Sequence, residues 1–171
     1  MAGSALHYHY TPLHQNILCS ATAITALPAT LDALGARRAL LICGPTILRA
    51  CDVVPRVQEA LGLRYAGLYA GVAPHAPIAT VDEGVAVAKE LQPDVFISVG
   101  GGSTHDTTKA IATLLAEGGD LHDYVIRFEP PDRVIVPPTP APKLPILSVP
   151  TTMGCAAFSR GGGGITDHRL G

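Results

Sequence analysis

Short runs of apolar residues alternate along the chain with longer stretches in which apolar residues recur every three or four positions. The runs predict strands at 38–43, 63–70, 94–99 and 144–149. Because these runs are largely apolar, they are typical of strands buried on both faces of a parallel sheet. The 94–99 run is the clearest because three glycines end it, and the 63–70 run is the weakest.

The longer stretches predict helices through 27–34, 81–91 and 110–117. Gly35 follows the first helix as a C-cap, and the second helix stops before Pro93. The segment 46–61 is less regular, because Pro55 should kink or split a helix there.

This alternation of strands and helices predicts one α/β domain over residues 1–171, with a Rossmann-like parallel sheet and helices on both faces. Residues 1–26 are expected to be irregular or to lie at a sheet edge. The stretch 129–145 holds seven prolines and is expected to be an extended loop.

Composition and charge exclude several classes of function. The chain is 47% hydrophobic and 15% charged, which is typical of a packed domain. A net charge of −2 and the absence of tryptophan disfavour nucleic-acid binding. No apolar run reaches the roughly 18 residues of a membrane span, and the first residues do not resemble a signal peptide. We therefore expect a cytoplasmic protein without a membrane or nucleic-acid partner.

A glycine-rich turn follows the clearest strand and begins a helix. The turn, called the glycine turn below, reads Gly100-Gly101-Gly102-Ser103. Free N–H groups and the positive dipole end make such a helix start an anion site. Ser103, Asp106 and Lys109 follow one face of the helix, and Ser103 is a candidate N-cap. The turn matches neither GxGxxG nor the P-loop pattern, so a plain βα turn with a surface Asp–Lys pair remains an alternative.

Two threonines, Thr151 and Thr152, come directly after the last predicted strand. Ligands of open α/β sheets bind at the carboxyl ends of the strands. The threonine hydroxyls are therefore candidates to bind a phosphate or a ribose, and the alternative is an ordinary turn in which they bind backbone groups.

The histidines and cysteines do not indicate a metal site. His7, His9 and His14 cluster near the N-terminus, but no carboxylate accompanies them and their spacing fits no zinc motif. The four cysteines form no CxxC pair. We predict no metal ligand in this chain, and the pattern identifies no catalytic residue.

The motifs together resemble those of the iron-containing (group III) alcohol dehydrogenases, in the dehydroquinate synthase-like superfamily. The stretch from Gly100 to Ala112 resembles the family's GGGSxxDxxKAIA pattern, and 72–84 resembles VxPNPTxxxVxEG. The segment 150–156 is similar to PTTAGT, and 165–167 resembles the strand that follows it. The order and spacing of these motifs agree over roughly 36–167.

The resemblance implies that residues 1–171 are the NAD(P)-binding domain of a two-domain enzyme. The second, helical domain is expected to be absent from this chain. In the family it carries an aspartate and three histidines that hold Fe²⁺ or Zn²⁺, so a metal is expected only where that domain is supplied. The metal polarises the oxygen of a small alcohol or carbonyl substrate, and hydride passes between substrate and nicotinamide. Cofactor contacts are implied for the glycine turn, Asp106, Lys109, Thr151 and Thr152.

The sequence departs from the family where 16–26 lacks the FGxG pattern and where Ala157 or Phe158 replaces a glutamate. Three alternatives stay open: an inactive dinucleotide-binding or regulatory module, a metal-independent reductase resembling maleylacetate reductases, and a structural domain without a ligand. A homo-oligomer is compatible with each of them.

The end of the first strand bears on the choice of cofactor. An acidic residue at such a position commonly binds the ribose 2′-OH and repels a 2′-phosphate. Here the chain reads Gly44-Pro45-Thr46, and no acidic residue precedes Asp52. Gly44 is expected to leave space and Thr46 to bind a phosphate, so we expect NADP to bind at least as well as NAD.

Overall fold

The computed structural model describes residues 15–159 and 164–168. Its strands are β1 (Ala39–Cys43), β2 (Tyr65–Tyr69), β3 (Val95–Gly100), β4 (Arg127–Glu129), β5 (Arg133–Ile135) and β6 (Ile146–Pro150). Its α-helices are α1 (Leu27–Leu34), α2 (Pro45–Ala50), α3 (Val53–Leu61), α4 (Ile78–Leu91) and α5 (Gly102–Glu117). In the described part of the chain, no helix combines the length and apolar character needed to cross a membrane.

Four strands form a parallel sheet in the order β2-β1-β3-β6. The chain leaves β1 towards β2 on one side and returns to β3 on the other side. The strand order therefore reverses direction between β1 and β3, which is the switch point where open α/β sheets bind ligands.

Helices cover both faces of the sheet, as predicted. Successive residues of β3 point to opposite faces, so Ile97 joins a core with Leu31 of α1 and Val57 of α3. Phe96 joins a second core with Val81 of α4 and Ile111 of α5. Both β3 residues are fully buried, and the α/β fold class is confirmed.

The helix boundaries confirm the capping predictions and correct the one for Pro55. Gly35 caps α1 in the left-handed conformation with φ 68°, and α4 ends at Leu91, before Pro93. The segment 46–61 is split, but the break lies at Cys51 and Asp52. Pro55 lies in the first turn of α3, where its missing N–H has no helical acceptor in any case.

Three further predictions need correction. The stretch 129–145 is not loop throughout, because β4 and β5 form an antiparallel hairpin that reaches into it. Residues 63–64 belong to a 3₁₀ turn, so β2 starts at Tyr65. The segment 165–167 does not form a strand and makes one bridge, between Thr166 and Pro77.

In the N-terminal segment, residues 15–22 are irregular and a 3₁₀ turn covers Ala23–Ala26. Residues 1–14, with their histidines, lie outside the described residues.

Candidate functional site

The carboxyl ends of β1, β3 and β6 meet at one edge of the sheet. Cys43 of β1 pairs with Val99 of β3, and Gly100 of β3 pairs with Pro150 of β6. The segments that follow these strands therefore lie side by side. They begin at Gly44, Gly101 and Thr151, so the structure brings together the three regions that the sequence proposes as one site.

Close contacts restrict side chains at two positions of the glycine turn, Gly100 and Gly101. Gly100 has φ 157°, and a Cβ there would overlap the side chain of Thr104. Gly101 is the N-cap of α5, and a Cβ on it would lie 3.2 Å from Cγ2 of Thr152. The expectation that Ser103 is the N-cap is wrong, because the helix begins one residue before it, at Gly102.

Ser103 instead binds a loop that comes from β2. Its Oγ accepts a hydrogen bond from the N–H of His75 at 3.0 Å. His75 and Ala76 both have positive φ, 62° and 47°, so this loop turns sharply to reach α5. The hydroxyl of Thr166 donates to the carbonyl of His75 at 2.9 Å and holds the same loop from the other side.

Asp106 and Lys109 form a partly buried ion pair on α5, beside the candidate site. Lys109 Nζ lies 3.3 Å from Asp106 Oδ1, and each side chain is only 13% exposed. The same ammonium donates to Ser159 Oγ at 2.9 Å. The alternative of a surface pair is therefore wrong, since Lys109 links α5 to the segment that follows β6.

The threonine pair lies directly against the glycine turn. The N–H of Thr151 donates to the carbonyl of Gly100 at 2.9 Å. Thr151 and Thr152 are both exposed to solvent, and Thr152 provides the methyl group closest to Gly101. Their hydroxyls are therefore accessible at the carboxyl edge.

Gly44 lies at this edge too, but not in open space. It is the N-cap of α2, and a Cβ on it would lie 3.0 Å from the carbonyl oxygen of Val72. The expectation that Gly44 leaves room for a phosphate is wrong on that side, because the loop after β2 already fills it. Thr46, in the first turn of α2, is exposed.

A buried histidine beneath the glycine turn escaped the sequence analysis. His105 is 3% exposed, and its Nδ1 lies 2.8 Å from the hydroxyl oxygen of Ser98 in β3. Burial is the largest cause and lowers the pKa of His105, and a hydrogen bond with the backbone of Gly100 acts in the opposite direction. The imidazole is therefore neutral near pH 7 and fastens α5 to β3. Its position inside the motif was visible in the sequence, but its burial was not.

The buried thiol of Cys43 is not reactive, and no metal cluster lies among the described residues of this edge. Burial raises the pKa of the Cys43 thiol to about 11, so Cys43 stays protonated and is a poor nucleophile. Within 15–159 and 164–168, no group of three or more histidine, cysteine, aspartate or glutamate side chains is placed to hold a metal ion. These residues do not fit an iron or zinc ion, and the resemblance places the ligands of such a metal in the helical domain.

The fold and the site define a class: a doubly wound α/β domain with a glycine-rich turn at the switch point of its sheet. The sequence profile of the family described as "Iron-containing alcohol dehydrogenase" matches residues 14–171. The chain belongs to this family.

Individual relatives agree with this membership. The lactaldehyde reductase of Escherichia coli (strain K12) is 36% identical over 138 residues, which cover 79% of this chain and 34% of that protein. The NAD-dependent methanol dehydrogenase of Bacillus methanolicus is 33% identical over 149 residues, which cover 85% of this chain and 36% of that protein. The crystal structure of a 1,3-propanediol oxidoreductase superposes with a TM-score of 0.71 at 28% identity, over 87% of this chain and 37% of that one. The chain thus spans about a third of the length of the relatives that it matches.

Proposed function

We propose that residues 1–171 form the part of an alcohol dehydrogenase that binds a nicotinamide dinucleotide, with its pyrophosphate at the glycine turn. The whole protein then transfers hydride between a small alcohol or carbonyl compound and the nicotinamide. The observation that carries this proposal is the approach of Thr152 to Gly101 at the switch point, 3.2 Å from where a Cβ would lie. A side chain at Gly101 would press against Thr152, so glycine leaves the most room there for a ligand.

The chemistry of the helix start supports an anion at this position. The N–H groups of Gly102 and Ser103 open α5 and have no helical carbonyl one turn earlier to bind. They point outwards at the positive end of a helix that extends to Glu117. A pyrophosphate accepts such hydrogen bonds, and the exposed hydroxyls of Thr151 and Thr152 supply further donors to phosphate or ribose.

The side chains of Asp106 and Lys109 have a different role in this proposal. Because Lys109 is bound to Asp106 and Ser159, it holds the wall of the site in place. Direct contact with the cofactor is left to the backbone of the glycine turn and to the threonines. A bound dinucleotide supplies the hydride chemistry, and we assign no residue of this chain to the reacting atoms.

The experiment is a fluorescence titration of the chain with NADH. Gly101→Val should weaken NADH binding at least tenfold, because its branched side chain would meet Thr152 and fill the room left for a ligand. Gly101 has φ −88°, so the backbone itself tolerates a side chain. Ala86→Val, at an exposed position in the middle of α4, is the matched control and should bind as the wild type does. Unchanged affinity in a folded Gly101→Val protein would refute the assignment.

The cofactor preference is tested in the same buffer with NADPH. The absence of an acidic residue between β1 and Asp52 supports binding of NADP at least as tight as that of NAD. Since Gly44 lies against the Val72 carbonyl, Thr46 and Arg49 on the exposed side of α2 are the candidates to bind a 2′-phosphate. Arg49→Gln should weaken NADPH binding and leave NADH binding unchanged. Tenfold tighter binding of NADH to the wild type would refute the preference.

Turnover distinguishes an enzyme from a binding module that lost catalysis. The assay measures alcohol oxidation by the whole protein through NADH absorbance, with and without added Fe²⁺ or Zn²⁺. It separates a metal-dependent dehydrogenase, a metal-independent reductase and an inactive module. Metal-dependent turnover supports the proposed dehydrogenase. Turnover without metal favours the metal-independent reductase, and dinucleotide binding without turnover favours the inactive module.

A further inference from the structure

The β4–β5 hairpin presents an unusual number of large apolar side chains to solvent. Ile126, Phe128, Val134 and Val136 are each 59–65% exposed. In the hairpin register Phe128 is paired with Val134, and Ile126 and Val136 lie one pair further on the same face. The four side chains therefore form one apolar face.

The opposite face of the hairpin carries charged side chains beside Ile135. Arg127 and Glu129 of β4 point there, and Glu129 pairs with Arg133 of β5 at 3.2 Å. The ribbon has only two strands, all of β4 is exposed, and both of its outer edges lack a partner strand among the described residues. A two-stranded ribbon is marginal by itself, and additional strands stabilise it.

The outer edge of β4 is complementary to itself. When two copies of β4 run antiparallel about a two-fold axis through Phe128, Arg127 of each copy lies opposite Glu129 of the other. Phe128 then lies opposite its own copy, on the apolar face. Opposite charges and aromatic pairs at directly opposed positions both stabilise strand pairing. The edge of β5 lacks this match, because centring on Val134 would set Arg133 against Ile135.

We propose that the outer edge of β4 pairs with β4 of a second copy of this chain. The result is a four-stranded antiparallel sheet in the order β5-β4-β4-β5, with eight apolar side chains on one face. The contact is isologous, so it closes at two copies and does not propagate. It lies on the hairpin and does not include any residue of the proposed dinucleotide site.

The first test is a disulfide trap in a chain whose exposed cysteines, Cys19, Cys51 and Cys155, are replaced by serine. Directly opposed residues of paired strands have Cβ atoms ~4.5–5.5 Å apart, which is close to the spacing that a disulfide needs. Phe128→Cys should therefore cross-link into a covalent dimer under mild oxidation. Val134→Cys, equally exposed on the other strand, should cross-link at least tenfold more slowly. Equal cross-linking of the two variants, or cross-linking of Val134→Cys alone, would overturn the proposal.

The second test exchanges charges and is read by sedimentation velocity. Arg127→Glu alone and Glu129→Arg alone should each be monomeric, because every cross-copy pair becomes repulsive. A mixture of the two variants restores both pairs and should form the mixed dimer. Arg56→Glu, on the exposed surface of α3, should dimerise like the wild type. Two results would overturn the proposal. One is a wild type that stays monomeric at high concentration, which is expected if another protein covers the hairpin. The other is a mixture of the two variants that fails to dimerise. NADH affinity should be unchanged in all of these variants, so a failure here is distinct from a failure of the proposed function.

Discussion

Folding shifts the pKa values of His122 and His105 in opposite directions. His122 lies on the surface between two carboxylates, with Asp120 Oδ1 at 2.5 Å from Nδ1 and Asp167 Oδ2 at 3.0 Å from Nε2. The hydrogen bond to Asp120 is the main reason why the pKa of His122 is raised. His105 is buried, and its pKa is lowered. Folding therefore favours a protonated His122 and a neutral His105.

The pH dependence of stability should separate these two histidines. The contribution of His122 is fully present below the unfolded pKa of about 6.5 and is lost as the pH rises through the raised folded pKa. His122→Gln should therefore destabilise the protein more at pH 6 than at pH 8, as measured by urea unfolding. His105→Asn is the counterpart: the wild type loses stability relative to this variant as the pH falls below about 6.5. A His122→Gln effect that is equal at both pH values would contradict the assignment.

At the scale of single residues, the sequence predicts positions well and contacts poorly. Gly101 is placed at the start of α5 as expected, because a glycine run after an apolar strand restricts the backbone to a sharp turn. The partner of Ser103 could not be predicted, since His75 is 28 residues away and reaches it through a loop with positive φ. The obstruction of Gly44 by Val72 has the same origin, a contact between separate loops.

At the scale of helices and strands, Lys109 links α5 to the segment that follows β6 along the chain. The ammonium donates to both the hydroxyl and the carbonyl of Ser159, at 2.9 and 3.4 Å. Asp106 neutralises the charge from within the helix. This one side chain therefore couples the helix that carries the glycine turn to the segment that carries Thr151 and Thr152.

Removal of that coupling should loosen the segment after β6. Lys109→Met keeps the side-chain length but loses the charge, and should lower the free energy of unfolding by about 1.5–3 kcal/mol, the value of a hydrogen bond to a charged group. Amide hydrogen exchange in residues 151–158 should accelerate. Lys89→Met, at an exposed position in the last turn of α4, should change neither quantity. Unaltered exchange in the Lys109 variant would show that the segment is held by other contacts.

The elements themselves were largely predictable, because local rules decide them. Gly35 caps α1 and Pro93 limits α4, as their backbone preferences require. The β4–β5 hairpin was missed since the prolines of 129–145 suggested a loop. Pro130 and Pro131 in fact lie in the turn between the two strands, where a missing N–H does not interrupt the ladder.

At the scale of the whole molecule, the described part of the chain has two cores that share one sheet. Ile97 and Phe96 are neighbours in β3, both fully buried, and they serve opposite cores. A substitution that destabilises one core should therefore also destabilise the other, because both cores include residues of β3.

Ile97→Ala should cost about 2–5 kcal/mol and Phe96→Ala about 3–5 kcal/mol of unfolding free energy. Each variant should still unfold in one transition, because loss of either face exposes the shared sheet. Circular dichroism during urea unfolding measures both quantities. Leu63→Ala, whose side chain is fully exposed, should stay within about 0.5 kcal/mol of the wild type. Two separate transitions in either core variant would show that the faces unfold independently.

Prolines lie at both ends of β6, one of the two outer strands of the main sheet among the described residues. β6 is an outer strand, and Pro145 and Pro150 enclose just four residues, Ile146 to Val149. A proline has no N–H to offer an incoming strand, so this edge is a poor template for amyloid-like growth. During synthesis in a crowded cell, we therefore expect nascent copies of the chain not to recruit one another through the strand next to the glycine turn.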